Sequence, residues 1–301
     1  MLDYQRGRHA QAISGIRRAI TLDPNKPAYH NNLGVALRAA GRLDEATNAY
    51  RETVRLGPTY ADALANLAVA LHERGHTDEA FPHFEHALRL KPDHADALYN
   101  LANLLHGRGQ SGQAVSLYQK AHRAALGRVD ILNNLGNTLA ATERPEEAID
   151  AFRLAIEVAP NFTDAWVNLG AVLAGMGRLV EAANAFGTAA RHRPAEAHWP
   201  IRIAALCPPV FPSVAAIDRY RVGLEAVLDA HRGGVRLAVD PAASGCSPPS
   251  FNLAHHGRPN RDPVRIRPVV FGTGRAMPAL RAAIRRPGCQ VDLPAGPPRT
   301  R

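Results

Sequence analysis

With 301 residues, 46 % of them apolar, the chain is long enough for one or two domains with a buried core and too hydrophobic to be disordered throughout. No apolar run approaches the ~20 residues of a membrane-spanning helix, and the N-terminal MLDYQRGRHAQ lacks the apolar stretch of a secretory signal, so we expect a cytoplasmic protein. The net charge of +9 falls after residue 196: residues 1–196 hold 21 basic and 21 acidic side chains, residues 197–301 hold 15 and 6.

Residues 1–26 read as one helix followed by a turn. Gly7, Ala12, Ile16, Ala19 and Pro24 stand at the spacing that the second half of each later repeat shows. This is a partial copy with its second helix alone, which suggests either an incomplete start or a lone capping helix.

From Pro27 the chain repeats every 34 residues. Asn-Leu-small recurs at 32–34, 66–68, 100–102, 134–136 and 168–170, giving full copies at 27–60, 61–94, 95–128, 129–162 and 163–196. Within each copy, position 7 is leucine (Leu33 to Leu169), position 11 is leucine (Leu37 to Leu173) and position 20 is alanine (Ala46 to Ala182). Position 24 is Tyr50, Phe84, Tyr118, Phe152 and Phe186. Positions 4, 7, 8 and 11 form the buried stripe of a first helix. The aromatic at 24 and the small residue at 27 form the facing stripe of a second. Glycine at position 15 in four copies breaks the chain between the helices, and proline at position 32 in four copies ends the second one. A hairpin of this kind cannot bury its apolar face alone, so neighbours must stack.

The pattern resembles the tetratricopeptide repeat. That resemblance implies an all-α fold: a right-handed superhelix of helical hairpins, an α-solenoid, with an irregular Pro/Arg-rich region after it. In such a stack the concave face is lined mainly by the first helices and receives extended partners.

His72-Glu73-Arg74-Gly75-His76 is a literal H-E-x-x-H, a zinc-protease motif when it lies on one helix. In the repeat register His72 is position 12, near the end of a first helix, and His76 is position 16, beyond the turn glycine Gly75. The two rings straddle a turn and no third ligand stands out, so we assign no metal.

Position 6 is asparagine in all five copies: Asn32, Asn66, Asn100, Asn134 and Asn168. Asparagine is a mediocre helix former, so local propensity does not explain the ladder. An amide offers donors and an acceptor, as a peptide backbone does, and a row of amides would clamp an extended peptide; bridging of neighbouring helices is the alternative. Position 2 is Asp62, Asp96, Asp130 and Asp164. Aspartate in a first turn is favoured by the helix dipole. It also stands one turn before the asparagine, where it would favour peptides with hydroxyl or basic side chains.

After Pro194 the repeat fails. Residues 197–262 form a linker: a proline-rich stretch through LCPPVFPS, an amphipathic helix over 214–232, the loop DPAASGCSPPS, and FNLAHHGRPNRD. This order is similar to the segment that joins repeats to the catalytic domain in bacterial SPINDLY-type O-linked N-acetylglucosamine transferases. The resemblance spans residues 27–262 and implies acceptor recognition by the repeats. Transfer from UDP-GlcNAc to Ser/Thr would follow only with a catalytic domain supplied elsewhere, and the family's two Rossmann-like halves have no counterpart in the 39 residues after Asp262.

Those residues, 263–301, carry eight Arg, seven Pro and one acid, and we expect a disordered tail or an out-of-frame reading. Gly272-Thr273-Gly274 lacks the third glycine of a dinucleotide turn, since Met277 stands there. The tail's lone aromatic, Phe271, argues against stacking on nucleic acid. His255-His256 has no carboxylate partner in sequence. Cys207, Cys246 and Cys289 are odd in number and far apart, as free thiols are. The sequence assigns no catalytic residue and no cofactor. The expected function is a scaffold that binds protein or peptide segments in its concave groove, with a transferase as the alternative.

Overall fold

The computed structural model describes residues 2–196, 198–206 and 213–230. Thirteen helices follow one another there: α1 Leu2–Leu22, α2 Pro27–Ala39, α3 Leu43–Leu56, α4 Ala61–Glu73, α5 Thr77–Leu90, α6 Ala95–Gly107, α7 Ser111–Ala124, α8 Val129–Ala141, α9 Pro145–Val158, α10 Thr163–Gly175, α11 Leu179–His192, α12 Trp199–Ala204 and α13 Val214–Ala230. Among the described residues there is no strand, and no helix is long and apolar enough to cross a membrane. FNLAHHGRPNRD, His255-His256, Gly272-Thr273-Gly274, the three cysteines and the tail 263–301 lie outside the described residues.

The chain forms two compact units, residues 1–144 and 145–301. In the first, α2 pairs with α3, α4 with α5, and α6 with α7, while α1 packs on α2 and α8 on α7. First helices also touch along the stack, α2 on α4, α4 on α6 and α6 on α8, whereas the second helices of successive hairpins do not pack on one another among the described residues. The first helices therefore line the inner side of this stack. In the second unit α9 and α11 both pack on α10, and α12 and α13 follow in sequence.

The core of each hairpin is the aromatic at position 24. Tyr50, Phe84, Tyr118, Phe152 and Phe186 are all 2 % exposed or less, and the position-20 alanines are fully buried. Fit is tight enough to select the residue opposite: a Cβ added to Gly34 would stand 2.5 Å from Tyr50 Cε1. Burial pushes the Tyr50 phenol up to about 12.

Turns follow the glycine pattern with two exceptions, the first being Gly7, which the repeat register places at a turn but which lies inside α1. Gly41, Gly75, Gly109 and Gly177 have φ between 75° and 84°, and Glu143 holds the same place at φ 57° in the copy that lacks glycine. A side chain in this region costs roughly 1–2 kcal/mol. Helix ends depart from the expected cause. Helix α7 stops two residues before Leu126, in the same register as the helices stopped before Pro58, Pro92, Pro160 and Pro194. Proline is thus not required for the stop; Gly127, at φ 82°, redirects the chain there instead.

Candidate functional site

The asparagine ladder divides into distinct environments in the first unit. Asn32 on α2 is exposed; Asn66, Asn100 and Asn134, on α4, α6 and α8, are half-buried. Asn66 Nδ2 donates to Asn31 Oδ1 on α2 at 3.0 Å. Asn100 Nδ2 donates to the carbonyl of Asp96 in its own helix at 2.8 Å. Asn134 Nδ2 donates to Tyr99 Oη and to Asn103 Oδ1 on α6, both at 3.1 Å. Two of the four therefore bridge adjacent first helices. In the second unit Asn168, on α10, is half-buried.

Around Asn134 the inner face is built up further. The Tyr118 hydroxyl, reaching through from α7, donates to the same Asn103 Oδ1. Its ring meets that of Tyr99 at 6.1 Å between centroids, tilted by 58°. Burial raises the Tyr118 phenol above its ordinary value, against hydrogen bonds with Thr138 and Asn134 that lower it. Arg128, between α7 and α8, lies with its guanidinium carbon 5.1 Å from the Tyr99 ring centroid and pairs with both Asp96 and Asp130 at 2.5 Å. The Arg128 hydrogen bond holds the Asp130 carboxyl below its ordinary value, and the two aspartates raise Arg128 in turn. Tyr99, Asn103 and Arg128 were not singled out in the sequence: Tyr99 and Arg128 stand alone at their positions, and Asn103 is matched only by Asn137 in the next copy.

Towards α2 and α4 the same face is simpler. Val35 is 48 % exposed and Val69 half-buried at the place Asn103 occupies on α6, and Ala65 stands where Tyr99 does. Arg38 on α2 and Glu73 on α4 form a bidentate ion pair; the Arg38 hydrogen bond lowers the Glu73 carboxyl.

The position-2 aspartates all face a base near a hairpin end. Asp62 Oδ1 stands 2.9 Å from His94 Nε2, an ion-pair distance without the alignment of a hydrogen bond. His94 Nδ1 meanwhile accepts from Ala97 N–H at 3.4 Å, capping α6. Asp96 and Asp130 share Arg128, and Asp164 pairs with Arg193 at 2.7 Å. These residues sit in the first turns of α4, α6, α8 and α10, where the dipole favours them.

The H-E-x-x-H residues serve the turn. His72 ends α4, Gly75 takes positive φ, and His76 precedes α5. His72 Nδ1 meets Thr77 Oγ1 at 3.0 Å and His76 Nδ1 meets Glu79 Oε1 at 3.1 Å, while Glu73 is held by Arg38. His106 repeats the first contact one hairpin on, meeting Ser111 Oγ at 3.2 Å. Histidine at position 12 thus ties the end of a first helix to the start of the second. Among the described residues no three His, Cys, Asp or Glu side chains gather as a metal site.

Tetratricopeptide repeat models match residues 28–93, 59–127, 93–161 and 133–198. The chain belongs to the tetratricopeptide repeat family. The TPR repeat-containing thioredoxin TTL4 of Arabidopsis thaliana is 48 % identical over 42 residues, 14 % of this chain; the match spans only 6 % of that protein's length. YrrB, described as a TPR protein with an unusual peptide-binding site, superposes with a TM-score of 0.52 at 24 % identity, covering 61 % of this chain and 90 % of YrrB. The Pseudomonas aeruginosa pilF structure gives a TM-score of 0.57 at 19 % identity, covering 70 % of this chain and 91 % of that one. These structural likenesses speak to the fold.

Proposed function

We propose that this protein is an interaction scaffold that holds extended peptide segments along the face made by α2, α4, α6 and α8. The observation that carries the reading is the concentration of accessible amide side chains there: Asn32, Asn66, Asn100 and Asn103, then Asn134 and Asn137 on successive first helices. A segment without secondary structure needs a donor and an acceptor per residue once water is displaced, and amides supply both. YrrB, of the same fold, is described as binding peptide, which supports this use of the scaffold.

Immobilised 12-residue extended peptides, titrated against the purified chain, test it. Binding should be lost when Val35→Arg and Asn100→Arg crowd the inner face. It should survive Glu85→Arg on α5, an exposed outer position. Equal loss in both variants, with melting unchanged, contradicts the reading.

Acceptor recognition for a glycosyltransferase is a more particular form of the same proposal. It is favoured by the similarity of FNLAHHGRPNRD and the preceding linker to SPINDLY-type transferases. If it holds, Ser/Thr-rich acceptor peptides should outcompete alanine-rich ones for the inner face, while labelled UDP-GlcNAc alone should give no transfer above a blank.

A further inference from the structure

Four polar groups meet where α6 faces α8, and their hydrogen bonds leave a definite remainder. Asn134 Nδ2 donates to Tyr99 Oη and to Asn103 Oδ1, and a side-chain hydrogen bond also links Asn134 with Tyr118. Asn103 Oδ1 also accepts the Tyr118 proton. Among the described residues Asn103 Nδ2, Asn134 Oδ1 and the Tyr99 hydroxyl proton have no protein partner. Tyr99, Asn103 and Asn134 are half-buried, so these groups are reachable from the inner face yet partly withdrawn from water. The site therefore offers amide N–H donors and one carbonyl acceptor, on two side chains already bonded to each other, with a phenol donor beside them.

A single trans peptide unit directs its N–H and C=O to opposite sides. A primary carboxamide carries one N–H on the same side as its oxygen and so presents donor and acceptor together. A carboxylate has no donor for Asn134 Oδ1. It would also approach Asp96 and Asp130, two carboxylates that share one guanidinium, Arg128. An aliphatic side chain would leave half-buried donors without partners, which is costly.

Building on the peptide-binding reading, we infer that Tyr99, Asn103 and Asn134 form a subsite selecting a primary carboxamide side chain, asparagine or glutamine, within the bound extended peptide. Tyr118 positions Asn103 from beneath, and Arg128 positions Tyr99 through its ring face.

The test uses four fluorescent 12-residue Ala/Ser peptides that differ only in a central Gln, Glu, Leu or Lys. The Gln peptide should bind the whole chain about tenfold or more tightly than the Glu and Leu peptides. Asn103→Asp keeps the oxygen that accepts from Tyr118 and Asn134 but removes the outward N–H donors. Its melting temperature should stay near that of the parent, its preference for Gln should vanish, and Lys should gain. Tyr99→Phe should weaken the Gln peptide alone by a few-fold. Equal affinity for Gln, Glu and Leu that Asn100→Arg still abolishes overturns the carboxamide subsite and leaves the peptide-binding face standing. Absence of binding by all four peptides and by the immobilised set overturns both.

Discussion

Between α2 and α4 the inner face of the first unit is closed by one Asn66–Asn31 bond, two valines and the Arg38–Glu73 pair; between α6 and α8 it is closed by Tyr99, Asn103, Asn134 and Tyr118 under Arg128. The buried frame is the same in both places. Positions 7, 11, 20 and 24 are leucine, leucine, alanine and a tyrosine 1 % exposed, whether that tyrosine is Tyr50 or Tyr118. What changes is positions 5, 9 and 34: Asn31 and Ala65 against Tyr99, Val35 and Val69 against Asn103, Tyr60 and His94 against Arg128. The invariant positions fix where a helix lies, and the varied ones decide what its exposed edge can bind. A ladder of identical residues gains different partners as its neighbours change, so Asn66, Asn100 and Asn134 do not share one role.

If the frame is common, removing it should cost the same in both halves. Tyr50→Ala and Tyr118→Ala should each lose about 3–5 kcal/mol, as buried aromatics do, measured by urea unfolding. A difference of more than about 2 kcal/mol would break the equivalence of the two frames. Finer substitutions should separate the halves. Tyr118→Phe deletes the donor to Asn103 and should cost about 0.5–1.5 kcal/mol. Tyr50→Phe removes no hydrogen bond shown among the described residues and should change stability by only a few tenths.

Acid should weaken both halves slightly and in the same sense. Glu73 and Asp130 are each held below their ordinary values by an arginine hydrogen bond. A depressed carboxyl stabilises the fold above its unfolded pKa, about 4, and that contribution disappears as pH falls through the lower folded value. Both pairs face water, so each is worth less than about 1 kcal/mol. Melting followed from pH 7 to 2 should show a shallow decline beginning near pH 4, made shallower by Glu73→Gln or by Asp130→Asn. A decline that neither substitution alters would assign it to other carboxylates.

Most of the fold was legible because the 34-residue period repeats a complete set of packing instructions five times. Leu at 7 and 11, Ala at 20 and the aromatic at 24 name the buried stripes, and Gly75 or Gly177 marks the turn. Pro92 and Pro160 suggested a cause for the helix ends that α7 shows to be dispensable, since Leu126 sits in the same slot. The site was legible only where it repeats. Asn134 stood out through Asn32, Asn66, Asn100 and Asn168, but Tyr99 and Arg128 occur once each at their positions and Asn103 is matched only by Asn137, too little for a periodic signal. The His72–Thr77 bond was equally hidden: residues five apart across a turn meet only through the hairpin's geometry, and the motif around them advertised zinc instead.

The central claim is that extended peptide lies on the first helices of the first unit. Backbone and asparagine side-chain amide resonances of the whole chain, followed by NMR as the Gln-containing peptide is added, address it directly. The account predicts shifts concentrated on α2, α4, α6 and α8, including the Asn32, Asn100, Asn103 and Asn134 side chains, with α3, α5 and α7 unmoved apart from Tyr118 and its neighbours. Saturable shifts confined to α3, α5 and α7 would contradict it.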